Sequence, residues 1–151
     1  MDIPAHVHIL ATIRAGAIYY FKEEKLTSSE PHYFVVLNKN PRTEEVLILV
    51  CASSQVEKRS HIVQKLGFKT ETLVFVSPDE CSLFSKTTVI DCNTVFEKTS
   101  QSLINKLQQE KLKICTETMP VAIVEKLIKG VLISSQVSEK TKRLLTDSHG
   151  S

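Results

Sequence analysis

The chain has no tryptophan and only four glycines in 151 residues. These stand at Gly16, Gly67, Gly130 and Gly150, so neither GxGxxG nor GxxxxGK(S/T) can be written. Both glycine-rich phosphate loops are excluded. The four cysteines, Cys51, Cys81, Cys92 and Cys115, form no C-x-x-C pair, which argues against a zinc knuckle and a thioredoxin-type redox site. Cys51 and Cys92 lie in apolar runs, where a reduced thiol behaves as a small hydrophobe. Nothing marks Cys51 as an activated nucleophile for His32 or His61. There is no G-x-S-x-G elbow. Long apolar runs are also missing. Val46–Ala52 is typical of the longest and falls far short of the roughly 20 residues that span a bilayer. The opening Met-Asp-Ile-Pro-Ala-His lacks the charged and apolar regions of a signal peptide, so the expected location is cytoplasmic. Charge of one sign is lacking too: Lys+Arg 19 against Asp+Glu 17 gives +2. So mild a balance does not announce a nucleic-acid binder.

What is present is a balanced globular composition, 42% hydrophobic and 24% charged, in a length that suits one domain. The first half reads as strands. Val7–Ile13 and Ala17–Phe21 are β-rich runs separated by Arg14-Ala-Gly16. Lys22–Pro31 is polar and reads as an exposed loop. Tyr33–Leu37 is a β-branched and aromatic run ended by the turn residues Asn38-Lys-Asn-Pro41. With Val46–Ala52 it predicts a β-hairpin. Gln55–Leu66 has weak helical spacing and a glycine stop at Gly67. Thr72–Val76 and Thr87–Cys92 read as strands, Asp79–Phe84 as one helical turn, and Thr94–Phe96 as an extension after a kink.

The last third reads as helical. Thr99 or Ser100 is placed to cap a helix bearing Leu103, Ile104 and Leu107. Pro120 opens a second, with an apolar stripe from Val121 to Val131. Ser134 or Ser135 is placed to cap a third. The prediction is therefore an α+β fold in a single domain over 1–151. A curled β-barrel core of about five strands (about 7–97) precedes about three helices (about 99–146).

Four segments, in order, carry a resemblance. They are Arg14-Ala-Gly-Ala-Ile-Tyr-Tyr-Phe21, Pro31-His-Tyr-Phe-Val-Val-Leu-Asn38, Leu47-Ile-Leu-Val-Cys-Ala-Ser-Ser-Gln55 and Leu83-Phe-Ser-Lys-Thr-Thr-Val-Ile-Asp-Cys-Asn93. Together with a following helix, they resemble the MazF/PemK-type toxins over roughly Arg14–Leu107. The resemblance implies a small SH3-like barrel, normally a homodimer. It also implies metal-independent cleavage of single-stranded RNA, with no cofactor, held in check by a cognate antitoxin. The two later helices look like an addition to that core.

Such cleavage requires a base for the 2′-hydroxyl, an acid for the leaving 5′-oxygen, and donors to the phosphorane. Matched position by position, the family's Arg in R-P-V-V-V falls on His32, and the Thr and Ser of P-x-T-S fall on Ser53 and Ser54. The resemblance thus makes His32 and Ser53 the catalytic candidates, an imidazole being able to give or take a proton. Ser54, Arg14, Lys58 and Arg59 are the candidates for holding RNA. The pattern also departs from the family. His32 lacks the permanent bidentate fork of an arginine, the family's D-Q falls on Asn93-Thr94, and its following basic position falls on Phe96. These departures open the alternative of a non-catalytic SH3-like module that binds a peptide or RNA. His6-Val-His8 would share one face of a strand, but no third metal ligand is evident.

Overall fold

A computed structural model describes residues 3–26 and 29–146. Thr27 and Ser28 of the expected loop, and the extreme ends of the 1–151 domain reading, lie outside the described residues. The element order is α1 (Ala5–Thr12), β1 (Ala17–Phe21), β2 (His32–Val36), β3 (Leu47–Ser53), α2 (Val56–Leu66), β4 (Leu73–Val76), β5 (Thr88–Asp91), β6 (Phe96–Lys98), α3 (Ser100–Gln108), β7 (Leu112–Thr118), α4 (Val121–Ile133) and α5 (Glu139–Thr146). A short 3-10 turn over Thr70–Thr72 leads into β4.

All seven strands join one antiparallel sheet in the order β4-β5-β3-β2-β1-β7, with β6 also on β3. Strand β3 is the hub. One edge pairs with β2, while the other is shared between β6 at Leu47–Leu49 and β5 at Ala52–Ser53. The predicted hairpin is β2–β3, with Phe34 opposite Cys51 and Val36 opposite Leu49.

The α+β class holds, but the closed, curled barrel does not. The sheet is open, with β4 and β7 at its ends, and it has seven strands and five helices among the described residues rather than about five and about three. The reason lies in how its faces are covered. Ile18, Val35, Leu37, Ile48 and Val50 pack on one face with Ile123, Leu127 and Val131 of α4 and Leu145 of α5. Tyr19, Phe34, Val36, Leu47 and Leu49 pack on the other with Ile9 of α1 and Leu103 of α3. Side chains alternate between faces along each strand. A sheet already sealed by helices on both faces has no need to close on itself. The same sandwich explains why β2 and β3 read as continuous apolar runs.

Three further expectations change. Val7–Ile13 lies largely in α1, not in a strand. Its Ile9, and Ile13 just past the helix end, are buried in the core beside α3. His6 and His8, roughly 200° apart around that helix, therefore do not share a face. The last third is not wholly helical, because β7 runs between α3 and α4 and pairs with β1. Finally, Ser134 and Ser135 do not cap the last helix. Ser138 does, its hydroxyl accepting from the Thr141 N–H at 3.2 Å. Ser134 instead donates to Asn93 Oδ1 at 2.6 Å. The Asp79–Phe84 turn is held at its start by the Cys81 N–H donating to the Ser77 carbonyl.

Other local signals hold. Thr99 caps α3, accepting from the Ser102 N–H at 3.0 Å. Gly67 ends α2 in the left-handed region at φ 74°. Gly16 takes φ 90° and donates to the Val36 carbonyl, and its own carbonyl accepts from Met119. That geometry docks the α1–β1 corner against the far end of β2 and the start of α4. From Ile123 to Val131 the apolar stripe of α4 is spent on the sheet, while Val121 stays exposed.

Candidate functional site

The hairpin sets up the site. Phe21 of β1 stands opposite His32 of β2. Continuing the β2–β3 register past Phe34–Cys51 brings His32 level with Ser53. The last residues of β1 and β3 and the first of β2 thus meet at one end of the sheet. After Ser53 the chain turns, the Ser53 hydroxyl accepting from the Gln55 N–H at 3.1 Å, and starts α2 beside that end. The first turn of α2 carries Lys58 and Arg59.

A hollow of about 680 Å³ opens here, within the size range of ligand sites. His32, Ser53, Ser54, Lys58 and Arg59 all line it. The sequence candidates from three separate segments therefore converge. Arg14 does not join them. It is exposed at the β1 entry, near the Val36 end of β2. Four residues of strand, roughly 13 Å at ~3.3 Å per residue, separate that end from His32.

Several lining residues carried no sequence signal of a site. Lys86, Glu30 and Asp91 contribute charge, and Tyr20, Tyr33, Phe84 and Phe96 contribute rings. Their only hint was position: Pro31 and His32 mark the strand entry, and Lys86 precedes β5. Lys58, Arg59 and Lys86 face two carboxylates, so the lining is mildly cationic. None of the three cations makes an ion pair among the described residues. Two buried nitrogens in the lining, His32 Nδ1 and Arg59 Nε, have no hydrogen-bond partner among those residues. A buried polar atom without a partner costs about 1–3 kcal/mol, so such atoms mark a place where a ligand supplies the missing bond.

The remaining groups divide into reactive and structural. Burial pushes the Cys51 thiol up to about 12, although the Arg59 charge opposes it. A thiol so protonated is not a nucleophile, which removes Cys51–His32 as a catalytic pair. Cys92 is likewise raised to about 12 by burial. Asn93, which stands where the resemblance expected a carboxylate, belongs to the fold. Its amide donates to Thr72 Oγ1 at 2.8 Å and to Asp91 Oδ1 at 2.9 Å, and its carbonyl accepts from Ser134. Asp91 Oδ1 also accepts from the Asn93 backbone N–H, so one oxygen of that carboxylate is committed to the fold. Phe96 fills its position by packing edge-on against Phe34 at 5.3 Å.

The wall formed by the β1–β2 loop is pinned from beneath. Glu23 is buried and ion-paired with Lys98 of β6. Burial alone would raise its pKa. The hydrogen bond and charge of Lys98 outweigh that and hold the carboxyl below its ordinary range, aided by the Lys25 backbone and Lys106. Leu26, three residues on, packs on the α1–α3 side and lines the hollow.

Among the described residues, no group of three or more His, Cys, Asp or Glu side chains is arranged to hold a metal ion. No helix there is long and apolar enough to cross a membrane. No family model matches the chain, and no curated protein matches it.

Proposed function

We propose that this chain binds and cleaves single-stranded RNA in the hollow at the His32–Ser53 end of the sheet, as the toxin of a toxin–antitoxin pair. One observation carries the reading: His32, Ser53, Ser54, Lys58 and Arg59, drawn from β2, β3 and α2, line one concave surface. Cations with no carboxylate partner among the described residues suit a phosphodiester. The neighbouring rings suit unstacked bases. In this mechanism His32 takes the proton from the 2′-hydroxyl. The 2′-oxygen bonds to phosphorus, the P–O5′ bond breaks, and the leaving oxygen is protonated. Glu30 is the second proton-transfer group at the site. Ser53 and Arg59 hold the charge that develops on the phosphoryl oxygens. The products are a 2′,3′-cyclic phosphate and a 5′-hydroxyl.

The antitoxin in this reading is a chain whose acidic segment occupies the same cationic hollow. The active form is a homodimer. The outward side of α1 offers Val7 and Leu10, with Ile3 just before the helix, all exposed, as apolar surface for the second copy. A sizing measurement on wild type and Leu10→Glu tests that part.

The test of the activity is incubation of the purified chain with end-labelled single-stranded RNA in EDTA. Cleavage that leaves a cyclic phosphate and disappears in His32→Ala is the expected result. Intact RNA with wild-type protein, together with normal growth on expression, overturns the enzymatic reading.

A second reading, RNA or peptide binding without cleavage, is favoured by Asn93, which stands where the resemblance places a carboxylate and whose side chain is spent on Thr72, Asp91 and Ser134. RNA retention without cleavage by wild type selects it.

A further inference from the structure

His32 and Tyr33 are neighbours in β2, so their side chains project to opposite faces of the sheet. Both nevertheless line the hollow, which therefore wraps around the end of the hairpin. The two sides differ in chemistry. On the His32 side stand Ser53, level with it across the hairpin, and Arg59, whose charge acts on Cys51 of that face. On the Tyr33 side the rings gather: Tyr33 lies 4.6 Å from Tyr20, its cross-strand partner, and 5.8 Å from Phe84. Phe84 is buried and backs the group, whereas Tyr20 and Tyr33 stay partly exposed. Tyr19 is completely buried, its hydroxyl sharing a hydrogen bond with Thr12. The sheet thus presents two of its three tyrosines to the hollow and spends the third on the core. Lys86, two residues beyond Phe84, also lines it.

We infer that Tyr20 and Tyr33 form a nucleobase platform, and that the ligand is a strand bent around the hairpin end, its phosphate at His32–Arg59 and an adjacent base on the tyrosines. The inference rests on the RNA reading above and deepens it by assigning the base. Stacking on a ring pair tolerates any base, so the platform supplies affinity and threading rather than a sequence code. A phosphate-only ligand fills one side and leaves the rings unused.

The absence of tryptophan makes a direct test available. In the Tyr33→Trp variant, the single indole is an optical reporter of stacking. Binding is measured for a short RNA and for the same RNA carrying one abasic site, scanned along the strand. The expected result is quenching of the indole fluorescence of that variant by the intact RNA and loss of the quenching at one abasic position. At that position wild-type affinity falls roughly ten-fold. Tyr33→Leu loses a similar factor on intact RNA and nothing more on the abasic strand, while Tyr33→Phe binds as wild type. If RNA binds but the abasic strand costs Tyr33→Leu as much as wild type, the platform is overturned and the RNA reading stands. If wild type retains no RNA at low salt, both fall.

Discussion

The two ends of the β2–β3 hairpin treat buried polar groups in opposite ways. At the turn end, Asn38 is fully buried and its side chain is satisfied, although Glu44 Oε1 in the same turn is buried without a partner among the described residues. Nδ2 donates to the Val46 carbonyl at 2.9 Å, and Oδ1 accepts from the Ile48 N–H at 2.6 Å. The side chain closes the turn as a backbone group would. At the open end, His32 and Arg59 each keep a buried nitrogen without a partner, and three nearby cations lack a carboxylate among the described residues. The difference lies in the central side chains: Asn38 is bonded at both ends of its amide, whereas His32 and Arg59 gather unspent nitrogens beside those unpaired cations. Because burial without a hydrogen bond is costly, the unspent end is where ligand chemistry is expected.

The comparison breaks most sharply at His32. His32→Ala is expected to lower RNA cleavage by roughly 10²–10⁴-fold, the usual contribution of a proton-transfer group, with little change in melting temperature. A large fall in Tm without a specific loss of cleavage would make His32 structural, like Asn38.

The pin beneath the loop comes next. Glu23→Ala leaves Lys98 without its carboxylate and is expected to cost on the order of 3 kcal/mol in chemical denaturation. The pair also sets an acid limit. The folded-state pKa of Glu23 lies below its ordinary 4.5, so the unfolded chain binds the proton more readily. The pair's stabilisation is present above the unfolded pKa and is lost as pH falls through the folded one. Denaturation midpoints measured from pH 6 down to pH 3 should converge for wild type and Glu23→Gln. Parallel curves would show that the pair does not titrate in this window.

Asn38→Ala strips partners from the Val46 carbonyl and the Ile48 N–H. About 2 kcal/mol of stability should go, with RNA binding intact in the folded fraction. Urea titration beside a binding curve separates the two effects.

A pair of arginines gives the finest contrast. Arg59→Ala should weaken RNA binding about ten-fold and reduce the salt slope by about one. Arg14→Ala, at the other end of the strand, should change neither. Equal effects from the two would show that a diffuse charge field, and not the hollow, holds the RNA.

Much of the central sheet was legible along the chain. The Tyr33–Leu37 run, the Asn38-Lys-Asn-Pro41 turn and the Val46–Ala52 run state a hairpin almost unaided, because β-branched density and turn chemistry agree. Gly67 and Thr99 likewise mark helix ends through local geometry. Val7–Ile13 misleads because an apolar run buried on one side suits either period, and only its seat against α3 selects the helix. Strand β7 escapes notice for a different reason. Its alternation of Leu112, Ile114 and Thr116 with Lys113, Cys115 and Glu117 is modest. It becomes a strand by pairing with β1, near the opposite end of the chain.

The site divides along the same line. That His32 and Ser53 meet follows from one antiparallel hairpin, whose register is local. That Arg59 joins them, that Arg14 stays away, and that Tyr33 faces a second side of the hollow are tertiary facts. They depend on where α2 lands after Ser53 and on which end of β1 the Gly16 corner docks. By itself the sequence determined the composition of the layers, the hairpin and its end residues, since apolar pattern and turn residues act over a few positions. The open sheet in place of a barrel, the outer strand β7 and the cationic wall were decided only when helices covered both faces, because burial is satisfied by whichever partners reach the surface.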